Sequence, residues 1–365
     1  MFFYLVGGEP MLTDFMQMAI DQAKLAGVAT YQNPQVGAVL VKDGHVLAQG
    51  YHHYFGGDHA EVDVLRQVTP EQARGATLFV TLEPCSHYGK TPPCSARIVA
   101  AGIRQVVIGQ LDPHPIVGGK GRQYLLNHGV DVVTGCLTDK VRALNPHYNH
   151  FYVQQRPWIT LKTAITLDGK INTETPTRTL VSNHASYIDS QCLRSQFQAI
   201  LIGERTLTID DPQLTVRLTA MVQPPVRLVV LNTSTVALNH RLVQDGQAPT
   251  WLLCRQAAAS DDQLRNSPNV HVLIGNWTPA AISQLCVEQG WQSLLVEGGA
   301  HLQAEFVAAE LIDEWVSYIA PMMIGGTGLP AVTGAAAMTP LTFEQPTVTC
   351  LGTNIRLRAV RKEVK

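Results

Sequence analysis

The chain has 365 residues, 45% hydrophobic and 15% charged, with a formal net charge of −2. That length exceeds a usual single domain and supplies apolar residues for two cores. The near-neutral charge excludes a global basic field for nucleic acid, and seven irregularly spaced cysteines exclude a disulfide framework.

Met1-Phe2-Phe3-Tyr4-Leu5-Val6 has no cationic lead and is too short for a signal peptide, and no stretch approaches a membrane span. A cytoplasmic protein is expected, with residues 1–10 an alternative start or a disordered extension. From Met11 onward helix and strand alternate. A helix is expected over 12–26, then strands near 36–42 and 45–49. Asp58 is placed to cap a helix that starts at His59. Ala76 to Leu82 is a buried strand that delivers Glu83-Pro84-Cys85 at its end. Pro93 opens a helix running through 95–101, closed by Gly102. Strands follow at 104–109 and 130–134. Asp112-Pro113 and the glycines of 118–121 lie on loops, where turn formation is the better reading than a phosphate cradle. The run Asn145-Pro146-His147-Tyr148-Asn149-His150 precedes a domain boundary near residue 153. No carboxylate or thiol accompanies His147 and His150, so they read as structural or interfacial.

The second half opens with a strand from Trp158 and a tight turn at Asp168-Gly169. Apolar runs at 199–202, 226–231, 270–274, 293–296 and 315–320 give further strands, and Val222-Gln223-Pro224-Pro225 marks a surface loop. Leu294 to Leu302 is a strand, a glycine turn and a helix start, which offers free N–H groups to a pyrophosphate. It lacks the G-x-G-x-x-G fingerprint of a Rossmann dehydrogenase. The fold class is therefore α/β in two domains: residues 11–153, a three-layer unit with a mixed sheet, and residues 155–365.

His59, Cys85 and Cys94, with Glu61, carry the chemistry. One imidazole and two thiolates suit a tetrahedral Zn²⁺ with its fourth position open to water, whose pKa then falls to about 7. Glu61 is placed to move the protons, and the His-x-Glu plus Pro-Cys…Cys pattern is that of zinc nucleobase deaminases. Cys94, in a helix first turn, is favoured as thiolate. The remaining cysteines, Cys136, Cys192, Cys254, Cys286 and Cys350, read as small apolar fillers. The polar insert between Cys85 and Cys94 borders the metal, and its His87, Lys90 and Thr91 offer donors to an anionic substrate group.

With Asn33-Pro34-Gln35-Val36-Gly37, Gly50-Tyr51-His52, His59-Ala60-Glu61, Thr81 to His87 and Thr91-Pro92-Pro93-Cys94, the chain resembles the bifunctional deaminase–reductase family of riboflavin biosynthesis over nearly its full length. The resemblance implies a cytidine-deaminase-like N-terminal domain and a dihydrofolate-reductase-like, NADPH-dependent C-terminal domain. It implies that Asn33, His52, His87 and Lys90 contact a phosphorylated pyrimidine. In the second half the matching segments are Leu161-Lys162, Leu167-Asp168-Gly169, Asp210 to Arg217 and Val296-Glu297-Gly298-Gly299. Ala164, Thr206, Asp210 and Gly299 would touch NADPH; Arg194, Leu214, Arg217 and Glu297 would hold the ribosyl phosphate substrate. The family also implies self-association, with no nucleic-acid or membrane partner. One stretch departs: Arg178, Thr179 and Leu180 stand where the family usually has a serine and, two residues later, a tryptophan. Two alternatives follow, a deaminase whose C-terminal domain only binds or dimerises, and a non-enzymatic zinc-stabilised protein.

Overall fold

The computed structural model describes residues 12–86, 92–173, 179–218, 221–232, 239–256, 267, 269–334 and 340–362. The extension at 1–10 and the residues His87, Lys90, Thr91 and Arg178 lie outside the described residues. The chain divides into two compact units, Met1–Gln155 and Arg156–Lys365.

In the first unit, helix α1 (Leu12–Lys24) precedes the hairpin β1 (Gly37–Lys42) and β2 (His45–Tyr51). There follow α2 (Ala60–Leu65), the short α3 (Pro70–Ala73), β3 (Thr77–Leu82), α4 (Cys94–Ala100), β4 (Gln105–Gln110), α5 (Lys120–Asn127), β5 (Asp131–Thr134), α6 (Thr138–Arg142) and α7 (Pro146–Gln154). The sheet order is β2-β1-β3-β4-β5. β1 is antiparallel to both neighbours, and β3, β4 and β5 run parallel.

Period-two alternation sorts the strand residues onto two faces. Leu40, Leu78, Val80 and Ile108 pack against Ala60, Val64, Ile98 and Leu125 of α2, α4 and α5. Val39, Phe79 and Val107 on the other face meet Phe15, Met16, Ala19 and Ile20 of α1. This is the expected three-layer unit, with element ends within two residues of those anticipated. It matters functionally that β3 and β4 are adjacent and parallel, because their carboxyl ends open on the same side.

The second unit contains β6 (Trp158–Thr166), β7 (Lys170–Asn172), α8 (His184–Arg194), β8 (Ala199–Gly203), α9 (Glu204–Asp210), β9 (Val226–Leu231), α10 (Arg241–Gln244) and β10 (Thr250–Cys254). It continues with β11 (Val270–Ile274), α11 (Pro279–Glu288), β12 (Ser293–Gly298), α12 (Ala300–Ala308), β13 (Glu314–Ala320), β14 (Leu329–Pro330), β15 (Thr347–Leu351) and β16 (Asn354–Val360). The nine-stranded order is β11-β10-β9-β8-β12-β6-β13-β16-β15. The strands are parallel from β11 to β13, while β16 and β15 join antiparallel. Both faces are buried, by one cluster around Ile200, Val229 and Leu295 and another around Leu201, Leu228 and Val296.

All six expected strands of this half form, the one from Trp158 and the five apolar runs. The sequence reading missed β10, the small β7–β14 pair and the hairpin β15–β16. The residues of β15 are largely exposed and show no clean alternation, so pairing to β16 rather than local pattern makes it a strand. Cys254 and Cys286 are buried fillers as expected, but Cys192 and Cys350 are exposed, on α8 and on edge strand β15, and fill no core. Among the described residues no helix is long and apolar enough to cross a membrane.

Candidate active sites

β3 leaves the sheet through Glu83-Pro84-Cys85. Opposite it, His59 is the N-cap of α2 and Cys94 the first residue of α4. Asp58 does not cap α2, contrary to expectation. Its carboxylate pairs with Arg66, and its carbonyl faces His52 Nδ1 at 2.8 Å. His59 Nδ1 lies 3.2 Å from Cys94 Sγ and 3.7 Å from Cys85 Sγ, and the Cys94 backbone N–H donates to Cys85 Sγ at 3.3 Å. One donor atom from each residue lies within 4.8 Å of the others. Tetrahedral zinc, with Zn–S about 2.3 Å and Zn–N about 2.0 Å, sets nitrogen and sulfur about 3.6 Å apart. The two observed separations bracket that value, so the donor set fits zinc.

The negative charge of the donor set rests on Cys85, while the bond to Cys85 and burial push the Cys94 thiol up, against the thiolate expected of a helix first turn. Hydrogen bonds from Cys94 and His59 pull Cys85 well below an ordinary thiol, against its burial. The bond to Cys85 in turn raises His59. Glu61 is 3% exposed. Burial pushes its carboxyl up, with His59 opposing. Beside the three donors, that carboxyl is placed to accept a proton and to return it.

These groups open into a cavity of about 290 Å³ that Asn33 and His52 also line. His52 is buried, and burial, followed by the nearby His59 and His53, lowers it to about 4, so it is neutral at pH 7. Its Nδ1 proton goes to the Asp58 carbonyl, which leaves Nε2 to accept from Asn33 Nδ2 at 3.0 Å. That polarity fixes the Asn33 amide with its nitrogen on His52 and leaves the carbonyl oxygen as acceptor for a ligand. Sequence reasoning missed three further lining residues, Asp112, His114 and Tyr148. The available signal was position: Asp112-Pro113 follows β4, at the carboxyl end of the strand parallel to β3.

Buried Glu83 ties this end together. Its carboxylate accepts from the backbone N–H groups of Asp112 at 3.2 Å, Gly119 at 2.9 Å and Arg122 at 2.9 Å. The Gly119 N–H is therefore engaged within the protein, in keeping with turn duty for that glycine loop. Gly121 is required by close approach, since a Cβ there would fall 1.9 Å from the Pro84 carbonyl oxygen.

The second unit holds a cavity of about 360 Å³ outside the carboxyl ends of its parallel strands, lined from Arg255 after β10 across to Lys162 on β6. Four inter-strand steps make that slot about 19 Å long, enough for an extended dinucleotide. Ala164, Thr206, Asp210 and Gly299, expected at the cofactor, all line it, as does Glu297. Gly299 has φ +89° and precedes α12 with no side-chain cap, so the first N–H groups of that helix are free for an anion. A Cβ on Gly298 would lie 2.9 Å from Thr206 Oγ1.

Arg194 pairs with Glu297, Arg217 acts on the same carboxylate and Leu214 is buried in the core; none of the three is in the cavity lining. Arg194 donates to Glu297 through Nε at 2.6 Å and Nη2 at 2.7 Å, and to the Thr215 carbonyl at 3.2 Å. Burial alone would raise Glu297; Arg194, then Lys162 and Arg217, overcome it and hold the carboxyl at about 2. Arg217 donates to Tyr187 Oη and Gln213 Oε1, each at 3.0 Å. Leu214 is buried with φ +52°, and Asp211 has φ +39°. A left-handed non-glycine residue costs roughly 1–2 kcal/mol, so this loop holds strain of the kind found where a ligand is clamped. In the departing stretch, Thr179 donates to Asn172 Oδ1, and Leu180, 73% exposed, lies on the cavity wall.

Residues 11–110 match the family model described as the cytidine and deoxycytidylate deaminase zinc-binding region, and residues 157–357 match the RibD C-terminal domain. The riboflavin biosynthesis protein RibD of Bacillus amyloliquefaciens is 38% identical, over 96% of each chain. The solved structure of Acinetobacter baumannii RibD superposes with a TM-score of 0.88 at 32% identity, covering 96% of this chain and 99% of that one. A diaminohydroxyphosphoribosylaminopyrimidine deaminase/5-amino-6-(5-phosphoribosylamino)uracil reductase from Thermotoga maritima superposes at 0.83 with 31% identity, over 96% and 98%. The chain thus belongs to the RibD family of riboflavin biosynthesis, a bifunctional enzyme with a zinc-binding deaminase domain followed by a reductase domain.

Proposed function

We propose that the first unit deaminates 2,5-diamino-6-ribosylamino-4(3H)-pyrimidinone 5′-phosphate and that the second reduces the ribosyl group of the product to ribityl with NADPH. The observation that carries the first half is the three-donor set of His59, Cys85 and Cys94 beside buried Glu61 at the head of a cavity. When bound, zinc makes a water molecule acidic enough to lose a proton near neutral pH. Glu61 takes that proton, returns it to the ring nitrogen next to the carbon under attack, and assists ammonia to leave. Asn33, held by His52, presents its carbonyl oxygen to the pyrimidine edge. His87 and Lys90 are the proposed donors to the substrate phosphate.

In the second unit the donors at the start of α12 suit the cofactor pyrophosphate, with Ala164, Thr206, Asp210 and Gly299 along its length. NADPH supplies the hydride, delivered to C1′ of the ribosyl group. Arg217 and the remaining donors of Arg194 engage the substrate phosphate, while Glu297 and Leu214 shape its site. Lys162, whose Nζ lies 5.6 Å from the Tyr318 ring centroid, and Asp210 both line the cavity and are the two groups proposed to assist proton transfer.

A coupled assay tests both halves by following ammonia release and NADPH oxidation separately. Glu61→Gln should lose ammonia release by about 10²–10⁴-fold, the share of a general acid–base, while still oxidising NADPH on pre-deaminated substrate. Wild type that releases ammonia but never consumes NADPH would remove the second half of the proposal. No ammonia from zinc-loaded wild type would remove the first.

A further inference from the structure

The run Asn145-Pro146-His147-Tyr148-Asn149-His150 has no part in the chemistry above, yet Asn145, Tyr148 and Asn149 are bonded to the segments that border the deaminase cavity. Asn145 is the N-cap of α7, and asparagine at that position ordinarily accepts a bond from its own helix. Here it makes no such cap bond. Instead Asn145 Oδ1 accepts from the Gln35 N–H at 2.7 Å, and Asn145 Nδ2 donates to the Gln35 carbonyl at 2.9 Å. Pro146 at the first helical position lacks an N–H, which lessens the need for a cap. One amide thus grips both backbone groups of the residue two positions beyond Asn33.

One turn further on, the same helix grips the opposite wall. Asn149 Oδ1 accepts from Gln110 Nε2 at 2.6 Å, and Tyr148 Oη donates to Asp112 Oδ1 at 2.9 Å. Gln110 and Asp112 bracket the carboxyl end of β4, and the Gln110 carbonyl accepts from the N–H of Glu83 at 3.0 Å. Asn33, Asp112 and Tyr148 all line the cavity. The metal ligands are not touched by any of these bonds.

We propose that Asn145, Tyr148 and Asn149 are positioning residues of the deaminase, a brace by which α7 holds the Asn33 loop and the Asp112 loop at a fixed separation across the substrate cavity. The role rests on the deaminase reading above. Both loops hang from the sheet, one before β1 and one after β4, and α7 adds the tie across the cavity mouth; a displacement of about 1 Å at a positioning group costs up to about a hundredfold in rate. Because the tied residues face substrate and not zinc, the loss should fall on substrate binding.

The test is steady-state ammonia release by the full-length, zinc-loaded enzyme in Asn145→Ala, Asn145→Asp and Tyr148→Phe. Asn145→Ala should lower kcat/KM by about 10–100-fold, mainly through KM, with zinc per chain unchanged and NADPH oxidation on pre-deaminated substrate unaltered. Asn145→Asp keeps the acceptor for the Gln35 N–H and should recover part of the loss. Tyr148→Phe removes only the hydroxyl bond to Asp112 and decides the matter should Asn145→Ala fail to fold. KM within twofold of wild type in Tyr148→Phe and in every folded Asn145 variant would overturn the brace. So would a loss that merely follows zinc content. Wild type releasing no ammonia would overturn the deaminase reading and this role with it, whereas active wild type with unmoved variants overturns the brace alone.

Discussion

At the scale of single residues, the two sites use buried charge in opposite ways. Glu61 is held up by burial so that it can exchange a proton, whereas Glu297 is held down at about 2 because Arg194 faces it through two bonds. Removing one partner of a buried pair leaves the other uncompensated, at a cost of about 3–5 kcal/mol. Arg194→Met should destabilise the second unit by about that amount at pH 7 and impair reduction, while ammonia release persists. The pH dependence follows from the sign. An unfolded glutamate titrates near about 4.3; with the folded carboxyl depressed, its contribution is complete above that pH and is lost as pH falls toward 2. In Arg194→Met the unpaired buried carboxyl prefers to be protonated, so the gap between wild type and variant should narrow through this window. Thermal melts of both proteins at several pH values check it, and a gap that stays constant from pH 5 to 2 would contradict the assignment.

At the scale of elements, the deaminase site is a meeting of two helix starts with one strand end, and backbone contacts decide how closely they meet. α5 approaches the Pro84-Cys85 turn so tightly that the Cβ of any residue at 121 would strike the Pro84 carbonyl oxygen at 1.9 Å. The obstacle is backbone and cannot rotate aside. Overpacking of this kind costs about 1–3 kcal/mol, and here the movement is transmitted to a metal ligand. Gly121→Ala should lower the melting temperature of the first unit and weaken zinc retention under dialysis, read by metal analysis. Full zinc content at wild-type stability would show that α5 can shift without moving Cys85. The same reasoning explains Glu83: three backbone N–H groups from the loop and α5 converge on its carboxylate, so the residue two positions before a ligand works as an anchor.

At the scale of the whole molecule, each unit has its own sheet and its own two-faced core, and each sheet opens its site at the carboxyl ends of parallel strands. The metal should therefore matter to one unit only. Treatment with a strong chelator should abolish ammonia release and lower the melting transition of the first unit, with NADPH oxidation on pre-deaminated substrate retained. Calorimetry of the two preparations tests this, because a metal bound only by the folded state raises stability by mass action. A matching loss of both activities would show that the second unit also depends on the metal.

Whereas the second-cavity residues came from the family resemblance, which also named Arg194, Leu214 and Arg217 outside the lining, the residues by themselves determined the donor set, the alternating α/β order and the glycine turn before α12. Residue type and local spacing carry that information: thiolates and imidazole for zinc, period two for strands, glycine where a Cβ cannot fit. It did not determine which loops face one another. Asp112, Tyr148 and Asn145 looked like turn and linker residues because Asp112 and Tyr148 pair across 36 positions and Asn145 reaches Gln35 across 110, ties that exist only after β3 has paired with β1 and β4.

Asp58 failed as a cap. α2 begins at Ala60 with His59 as its N-cap, one position later than expected, and the Asp58 carboxylate pairs instead with Arg66 at the far end of the same helix. Arg194 looked like a free phosphate ligand until Glu297, 103 residues away, occupied two of its donors. Cys192 and Cys350 are chemically indistinguishable in sequence from the buried Cys254 and Cys286, and only the packing of α8 and the edge position of β15 decide their exposure. Chemistry is written in residue types, but its geometry is set by contacts between segments far apart in the chain, and those are settled only when the sheets assemble.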